Sequence, residues 1–295
     1  MTSVHKTVLL NETIEGLNLP ASPAGRKIDS VVLDCTFGGG GHSMEVLRRF
    51  PKAKIIALDQ DKSVWKKNDA RISFYNENFS DLDKVLKGEK VDGIIFDLGL
   101  SSDQLENSGR GFSFMKDEHL LMTMKENPLP EDLTAFDVVN TWEEKNLADI
   151  IYGYGEERYA RRIARGIVDA RQKAEIKNTF DLASIINEVV PASYRRGRLH
   201  PATKTFQALR IAVNDELGVL KKGLESGFSL LKVGGRMSVI SFHSLEDRIV
   251  KKFYKMLEDE GKANLINKKI IKASDEELKN NPRSRSAKLR ILEKI

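Results

Sequence analysis

Short runs of aliphatic and β-branched residues alternate with helical stretches through the first hundred positions. Val31-Val32-Leu33-Asp34-Cys35, Lys54-Ile55-Ile56-Ala57-Leu58-Asp59, residues 72–76 and Val91-Asp92-Gly93-Ile94-Ile95-Phe96-Asp97 each read as a strand. They are apolar almost throughout, as parallel strands covered on both faces are. Between them the pattern predicts helices over about 42–50, closed by Pro51, over 61–70, and over 80–87 with Ser80 as N-cap. Strand–helix alternation implies right-handed crossovers, hence an α/β fold with a doubly wound sheet.

The alternation stops after Asp97. From about 103 to 200 the pattern is helical: 134–140, 143–153, 156–171 with Ile163, Ile167 and Val168 at helical spacing, and 179–190 between an N-cap at Thr179 and a stop at Pro191. The αβ pattern then resumes. It predicts a long helix over 203–226, a turn at Gly234-Gly235, a strand over 236–241, a helix over 245–258, and weaker strands over 264–271 and 287–293. The organisation expected is one α/β domain, residues 1–102 and 201–295, interrupted by a helical insertion over 103–200.

Composition narrows the class. Apolar residues are 40% and charged residues 31% of the 295, which suits a globular chain with a sizeable core. No stretch reaches the roughly 20 apolar residues of a membrane helix, and the N-terminal segment lacks the layout of a signal peptide. A soluble, cytoplasmic protein is expected. The single cysteine, Cys35, excludes an internal disulfide framework and a four-cysteine zinc site. No His or acidic pair stands at ligand spacing on one predicted element, so no metal is expected. The net charge of +5 is unevenly spread: residues 158–210 carry +8 and residues 251–295 carry +6. Two basic segments on an otherwise acidic chain suggest a localised surface for a polyanion, with solvated helix faces as the plain alternative.

Ligands of open α/β sheets bind beyond the carboxyl ends of the strands. Four features of this sequence fall there. The glycine run 38–41 permits close backbone approach, and the helix after it aims its amides at a ligand. Ser43 stands where a dinucleotide fingerprint needs its third glycine, and no Gly-Lys-Ser/Thr follows for a P-loop. Asp59 closes the second strand, where an acid can accept from ribose hydroxyls. Phe79 follows the third strand, where a ring can stack on adenine. Asp97-Leu98-Gly99-Leu100-Ser101-Ser102 ends the fourth. Together, in this order, they describe a site for S-adenosylmethionine.

These residues lie in longer blocks. The chain resembles the MraW/RsmH family of ribosomal RNA small-subunit methyltransferases nearly end to end. The blocks are His5-Lys6-Thr7-Val8-Leu9-Leu10-Asn11-Glu12, DCTFGGGGHS over 34–43, DLGLSSDQLENSGRGFSF over 97–114, YGYGEERYARRIARGIVDAR over 152–171, HPATKTFQALRIAVNDEL over 200–217, SVISFHSLEDRIVKK over 238–252, and residues 282–290. One departure is visible: where the family has Pro-Leu-Asp-Met-Arg-Met, this chain has His119-Leu120-Leu121-Met122-Thr123-Met124. The resemblance implies a Rossmann-like class I methyltransferase sheet with an inserted helical domain for the RNA substrate. It implies methyl transfer from S-adenosyl-L-methionine to N4 of a decoding-centre cytidine in 16S rRNA. It implies cofactor contacts from Gly40, Gly41, His42, Asp59, Phe79, Asp97 and Gln104, of which His42 and Gln104 carry no signal of their own.

Methyl transfer needs in-line positioning and a dry site more than covalent help. The cytosine amine is conjugated into its ring, so an acceptor for one of its protons aids attack. Asp97 is the expected catalytic residue, with the carbonyls of 98–99 beside it and Ser101 and Ser102 secondary. Phe112 and Phe114 are candidates to stack on the base. His243 either assists proton removal or is a hydrogen-bonded structural residue. RNA contacts are expected from Arg110, Arg161, Arg165, Lys204 and Arg210. Further basic candidates are Arg158, Arg162, Arg195, Arg196, Arg198, Arg283 and Arg285, some of them paired with acids such as Glu156 and Glu157. The partner expected is 16S rRNA or the small ribosomal subunit, with no membrane association; a homodimer is an open alternative to a monomer.

Overall fold

The structure is a computed structural model that describes residues 6–19, 29–65 and 69–295. In chain order its elements begin with α1 (Leu10–Gly16), β1 (Val31–Asp34), α2 (Gly41–Arg49), β2 (Lys54–Leu58), β3 (Ile72–Tyr75), α3 (Leu82–Leu86) and β4 (Val91–Asp97). A run of helices follows: α4 (Ser102–Asn107), α5 (Ala135–Thr141), α6 (Glu144–Gly153), α7 (Ala160–Arg171), α8 (Thr179–Val189), α9 (Ala192–Arg195) and α10 (Thr203–Asn214). The chain ends with α11 (Glu216–Leu230), β5 (Leu231–Ser241), α12 (Ser244–Asp259), β6 (Ala263–Leu265), α13 (Asp275–Asn280) and β7 (Lys288–Lys294). These divide into a sheet unit, Met1–Gly99 with Leu217–Ile295, and a helical unit, Leu100–Glu216.

The sheet has the order β3-β2-β1-β4-β5-β7-β6. The first five strands pair in parallel, and β7 runs antiparallel between β5 and β6. This is the Rossmann-like class I methyltransferase sheet. Why its strands are apolar on both sides is visible in the packing. Leu33, Ile94 and Phe96 face a core with Leu224 and Tyr254, while their neighbours Val32 and Ile95 face a second core with Ile14, Val46 and Phe37. Phe96 is fully buried, so truncation to Ala is expected to cost about 3–5 kcal/mol. The crossovers leave β1 toward β2 on one side, and the chain later returns to β4 on the other. Open α/β sheets bind their ligands at such a reversal, beyond the carboxyl ends of the neighbouring strands, here β1 and β4.

The helical unit has its own core, including Leu120, Val138, Leu147, Ile151, Ile163, Ile167 and Ile186. No strand of the sheet falls among its described residues; one isolated bridge joins His119 and Asn178. The departing segment 119–124 serves this core: Leu120 and Met122 are fully buried.

Several local expectations are corrected. The helix expected over 203–226 is two helices, because Asp215 adopts a left-handed φ of 45° and breaks it. Residues 201–216 therefore pack with the helical unit, and the division falls at 99/100 and 216/217. The cap expected from Ser80 comes from Asn78, whose side chain accepts from the Ser80 N–H over a one-turn 3-10 helix, Phe79–Asp81. Thr179 is the first residue of α8 and Asn178 its N-cap; the Thr179 hydroxyl instead donates to Lys116 O at 2.6 Å. Gly234 and Gly235 lie within β5, whose register against β4 shifts between Val91 and Gly93. α1 and α4 were not anticipated, although Leu10, Ile14 and Leu17 have helical spacing. Of the helix expected over 61–70, the described part shows a 3-10 turn, Lys62–Val64; residues 66–68 lie outside the described residues.

Candidate active site at the strand ends

The carboxyl ends of β1, β2 and β4 each carry an aspartate, and the glycine loop knits them together. Phe37 N–H donates to Leu58 O at 3.0 Å, Cys35 N–H to Ile95 O at 3.0 Å, and Gly38 N–H to Asp59 Oδ2 at 2.8 Å. The Thr36 hydroxyl accepts from the Asp97 N–H at 2.6 Å. Gly40 has a φ of 71°, and a Cβ there would stand 2.5 Å from the Phe37 ring. A Cβ on Gly41 would overlap the Thr7 hydroxyl. Both positions thus require glycine, for handedness and for space respectively. A strap, Lys6–Leu9, crosses the loop. It is held from the C-terminal segment, where Glu277 Oε1 accepts from Leu9 N–H at 2.9 Å and Asn281 Nδ2 donates to Lys6 O at 2.9 Å.

The site is dominated by carboxylates. Asp34 is buried and accepts from Ser43 Oγ at 2.6 Å and from Thr36 N–H at 3.2 Å. Loss of water pushes its pKa up to about 6, against those hydrogen bonds and with help from the charge of Asp59. Asp97 is pushed up to about 8, first by burial and then by the charges of Asp34 and Glu246. Asp59 Oδ1 also accepts from Asp61 N–H at 2.9 Å, so the loop itself orients this carboxylate. Among the described residues, Asp97 Oδ1 is buried and has no hydrogen-bond partner. An orphaned acceptor of this kind is costly unless a ligand satisfies it. Converging acids suit a ligand with positive charge, and the glycine cradle admits it closely. The residues fit S-adenosyl-L-methionine, with its sulfonium and ammonium groups.

Of the other cofactor candidates, Phe79 is half-buried, edge-on to Phe96 at 5.4 Å between centroids, and close to Gly223. His42 is buried with Nε2 3.1 Å from Val8 O and Nδ1 3.6 Å from Asp97 Oδ2. Gln104 belongs to the helical unit, where its Oε1 accepts from Ser101 N–H at 3.0 Å and its own N–H donates to Ser101 Oγ at 3.2 Å. That reciprocal cap was legible as Ser-x-x-Gln. The Ser102 side chain lies outside the described residues.

His243 caps α12. Its Nδ1 accepts from Glu246 N–H at 3.4 Å, and Glu246 Oε2 accepts from the amides of Phe242 and His243 at 2.9 and 3.3 Å. His243 Nε2 is 3.2 Å from Glu246 Oε1 but without hydrogen-bond geometry. The two side chains, three residues apart, form the reciprocal cap at the start of this helix. Sequence reasoning gave no role to Thr36 or Glu246, whose partners only the fold brings near.

Among the basic candidates the structure separates two kinds. Arg161, Arg162 and Arg165 are exposed on α7, opposite the buried Ile163, Ala164 and Ile167. Arg195, Arg196 and Arg198 are exposed on and after α9. Arg110 and Arg210 are corrections. Arg110 is buried and donates to the carbonyls of Met124 and Lys125, both at 2.9 Å. Arg210 grips Glu216 with two hydrogen bonds of 2.6 and 2.9 Å. Both are committed to holding the helical unit together. Lys204 Nζ donates to Glu156 O at 2.7 Å. Arg158 lies over the rings of Tyr159 and Tyr194, and Glu157 is buried against the Tyr194 hydroxyl. Arg283 and Arg285 lie in a 3-10 turn, Pro282–Ser286. Of the stacking candidates, Phe112 is buried, and Phe114 is half-buried, stacked on His200 at 4.5 Å with Phe206 edge-on at 5.2 Å.

A family model described as the MraW methylase family matches residues 2–295. A protein of Anaplasma marginale (strain Florida) named ribosomal RNA small subunit methyltransferase H is 49% identical over 305 residues, covering 99% of each chain. Proteins of the same name from Clostridium botulinum (strain Kyoto / Type A2) and Lactobacillus johnsonii are 45% and 43% identical, each with 99% of both chains covered. Among the described residues, no helix is long and apolar enough to cross a membrane.

Proposed function

This chain belongs to the MraW methylase family, and from that premise we propose that it methylates the exocyclic N4 of a decoding-centre cytidine in 16S rRNA. The coarse activity is S-adenosyl-L-methionine-dependent methylation of small-subunit ribosomal RNA. When bound, the cofactor supplies a methyl group on a sulfonium, a leaving arrangement that needs no further activation.

The chain's own residues do the rest. The glycine loop over 38–41 and the first turn of α2 cradle the cofactor, with Asp59 as acceptor for its ribose hydroxyls and Phe79 beside its base. Asp97 Oδ1 carries the amine reading: a buried acceptor without a partner suits a nucleophile that has protons to give. A ring-carbon target would instead call for a nucleophile to activate the pyrimidine. The one cysteine, Cys35, is buried, and loss of water raises its thiol pKa well above the usual range, so it is unsuited to that work. The helical unit is the RNA-binding part, with Arg161 and Arg165 on its exposed α7 face. Lys204 is a phosphate contact in this reading.

The test is mass spectrometry of 16S rRNA nucleosides from cells with and without the protein. Loss of N4-methylation at one cytidine, restored by re-expression, is the expected result. An unchanged cytidine inventory would overturn the N4 assignment, and loss of a different methylated base would replace it.

A further inference from the structure

His42 sits in the first turn of α2 with its ring buried between two oxygens of different kinds. A backbone carbonyl only accepts, so Val8 O at 3.1 Å requires the hydrogen on Nε2. That fixes one nitrogen and turns the other, Nδ1, toward Asp97 Oδ2 at 3.6 Å, within ion-pair range. The strap that supplies Val8 is itself anchored by Glu277 and Asn281, so the ring's orientation is set by the fold.

The surroundings of Asp97 make this contact consequential. Asp34 at the end of β1 and Glu246 on α12 both raise its proton affinity, and Asp59 at the end of β2 acts on Asp34 in the same sense. His243, on the α12 side, has its Nε2 near Glu246. Left to burial and to these acids, Asp97 is pushed up to about 8 and holds a proton at neutral pH. A neutral carboxyl is a poor acceptor for an amine proton.

We propose that His42 is a positioning residue for catalysis, carrying a proton on Nδ1 against Asp97 Oδ2 so that Oδ1 meets the substrate amine as a carboxylate. This rests on the amine-methylation reading above. The balance closes without another reactant. The attacked nitrogen gains a C–N bond while the C–S bond breaks, its electron pair staying on sulfur. The nitrogen then loses one hydrogen as a proton to Oδ1, keeping the N–H electron pair. Asp97 is left neutral beside the imidazolium, and release of that proton to water restores the carboxylate.

Two measurements test it. The first uses the full chain with ¹⁵N-labelled histidine, saturated with S-adenosylhomocysteine, and reads the ring nitrogens of His42 by NMR. The expected result is an imidazolium with both nitrogens protonated at pH 7, reverting to the neutral Nε2–H form in Asp97→Asn. A neutral ring in the unsubstituted protein at pH 7 overturns the proposal. The second is single-turnover methylation against pH. His42→Asn should move the acid limb upward by about one pH unit or more, with most of the lost rate recovered in alkali. A rate lowered equally at all pH values would mean a merely structural role and would also overturn it. If His42→Asn does not fold, the spectroscopic result decides alone. If the unsubstituted protein methylates no cytidine, the functional reading fails, while the state of the His42–Asp97 pair is still measured.

Discussion

At the scale of single residues, the three strand-end aspartates have different duties and should fail differently. Asp59 is oriented by the Gly38 and Asp61 amides, and in the proposed site it accepts from the cofactor's ribose. Asp59→Ala is expected to weaken S-adenosyl-L-methionine by about 1.5–3 kcal/mol, the scale of a hydrogen bond to a charged group. Calorimetry checks this, and an unchanged affinity would remove Asp59 from the site. Asp97→Asn keeps the shape but loses the charge. Its single-turnover rate at saturating cofactor is expected to fall by roughly 10²–10⁴, with a smaller change in affinity. Full recovery at high cofactor concentration would leave Asp97 a binding residue only.

At the scale of elements, α7 and α10 carry basic residues to opposite ends. The α7 arginines 161 and 165 are exposed and four apart, so they share a face. The double substitution to Ala should weaken 16S rRNA binding and reduce the slope of log affinity against log salt by about 1.4–1.8, two released counterions. An unchanged slope would make that face a solvated one. On α10, Arg210 is spent on Glu216. Arg210→Ala should lower thermal stability while leaving the salt slope as it was, because truncation strands a buried carboxylate. Titration of RNA at several salt concentrations and a melting curve distinguish the two outcomes.

At the scale of the whole molecule, two raised carboxyls make a pH signature. Burial pushes Asp34 up to about 6 and Asp97 up to about 8, both above the ordinary 3.8, and the second of these protons is the one that the Asp97–His42 pair shares. Between those values the folded protein binds more protons than the unfolded chain, so stability falls as pH rises. Their contribution is fully present below about pH 4 and is lost by about pH 8. Carboxyls held low by arginine, such as Glu45 and Asp69 at about 2, act in the opposite sense, but their titration is complete below about pH 5. The ligand-free protein should therefore melt at a lower temperature at pH 8 than at pH 5.5. Asp97→Asn should flatten that decline and melt higher than the unsubstituted protein at pH 8. Calorimetric melting across this range checks both, and a rise in melting temperature from pH 5.5 to 8 would refute the assignment.

The strands and the positions of Asp34, Asp59 and Asp97 were readable because their cause is local. A strand covered on both faces must be apolar at successive residues, and each such run ends at the acid that the sheet presents. The glycine loop was readable for the same reason, since Gly40 needs its handedness within the turn. Other features were decided only by the fold, because their partners are distant in the chain. Arg110 looks like an RNA contact until Met124 and Lys125 take its guanidinium, and Arg210 until Asp215 breaks the helix and brings Glu216 round. Phe114 meets its stacking partner His200 only in the fold. His42 had no signal of its own: Val8 and Asp97, 34 and 55 positions away, give its ring a direction. Local pattern determined which residues stand at the strand ends; tertiary packing decided which charges are spent on structure and which remain for chemistry.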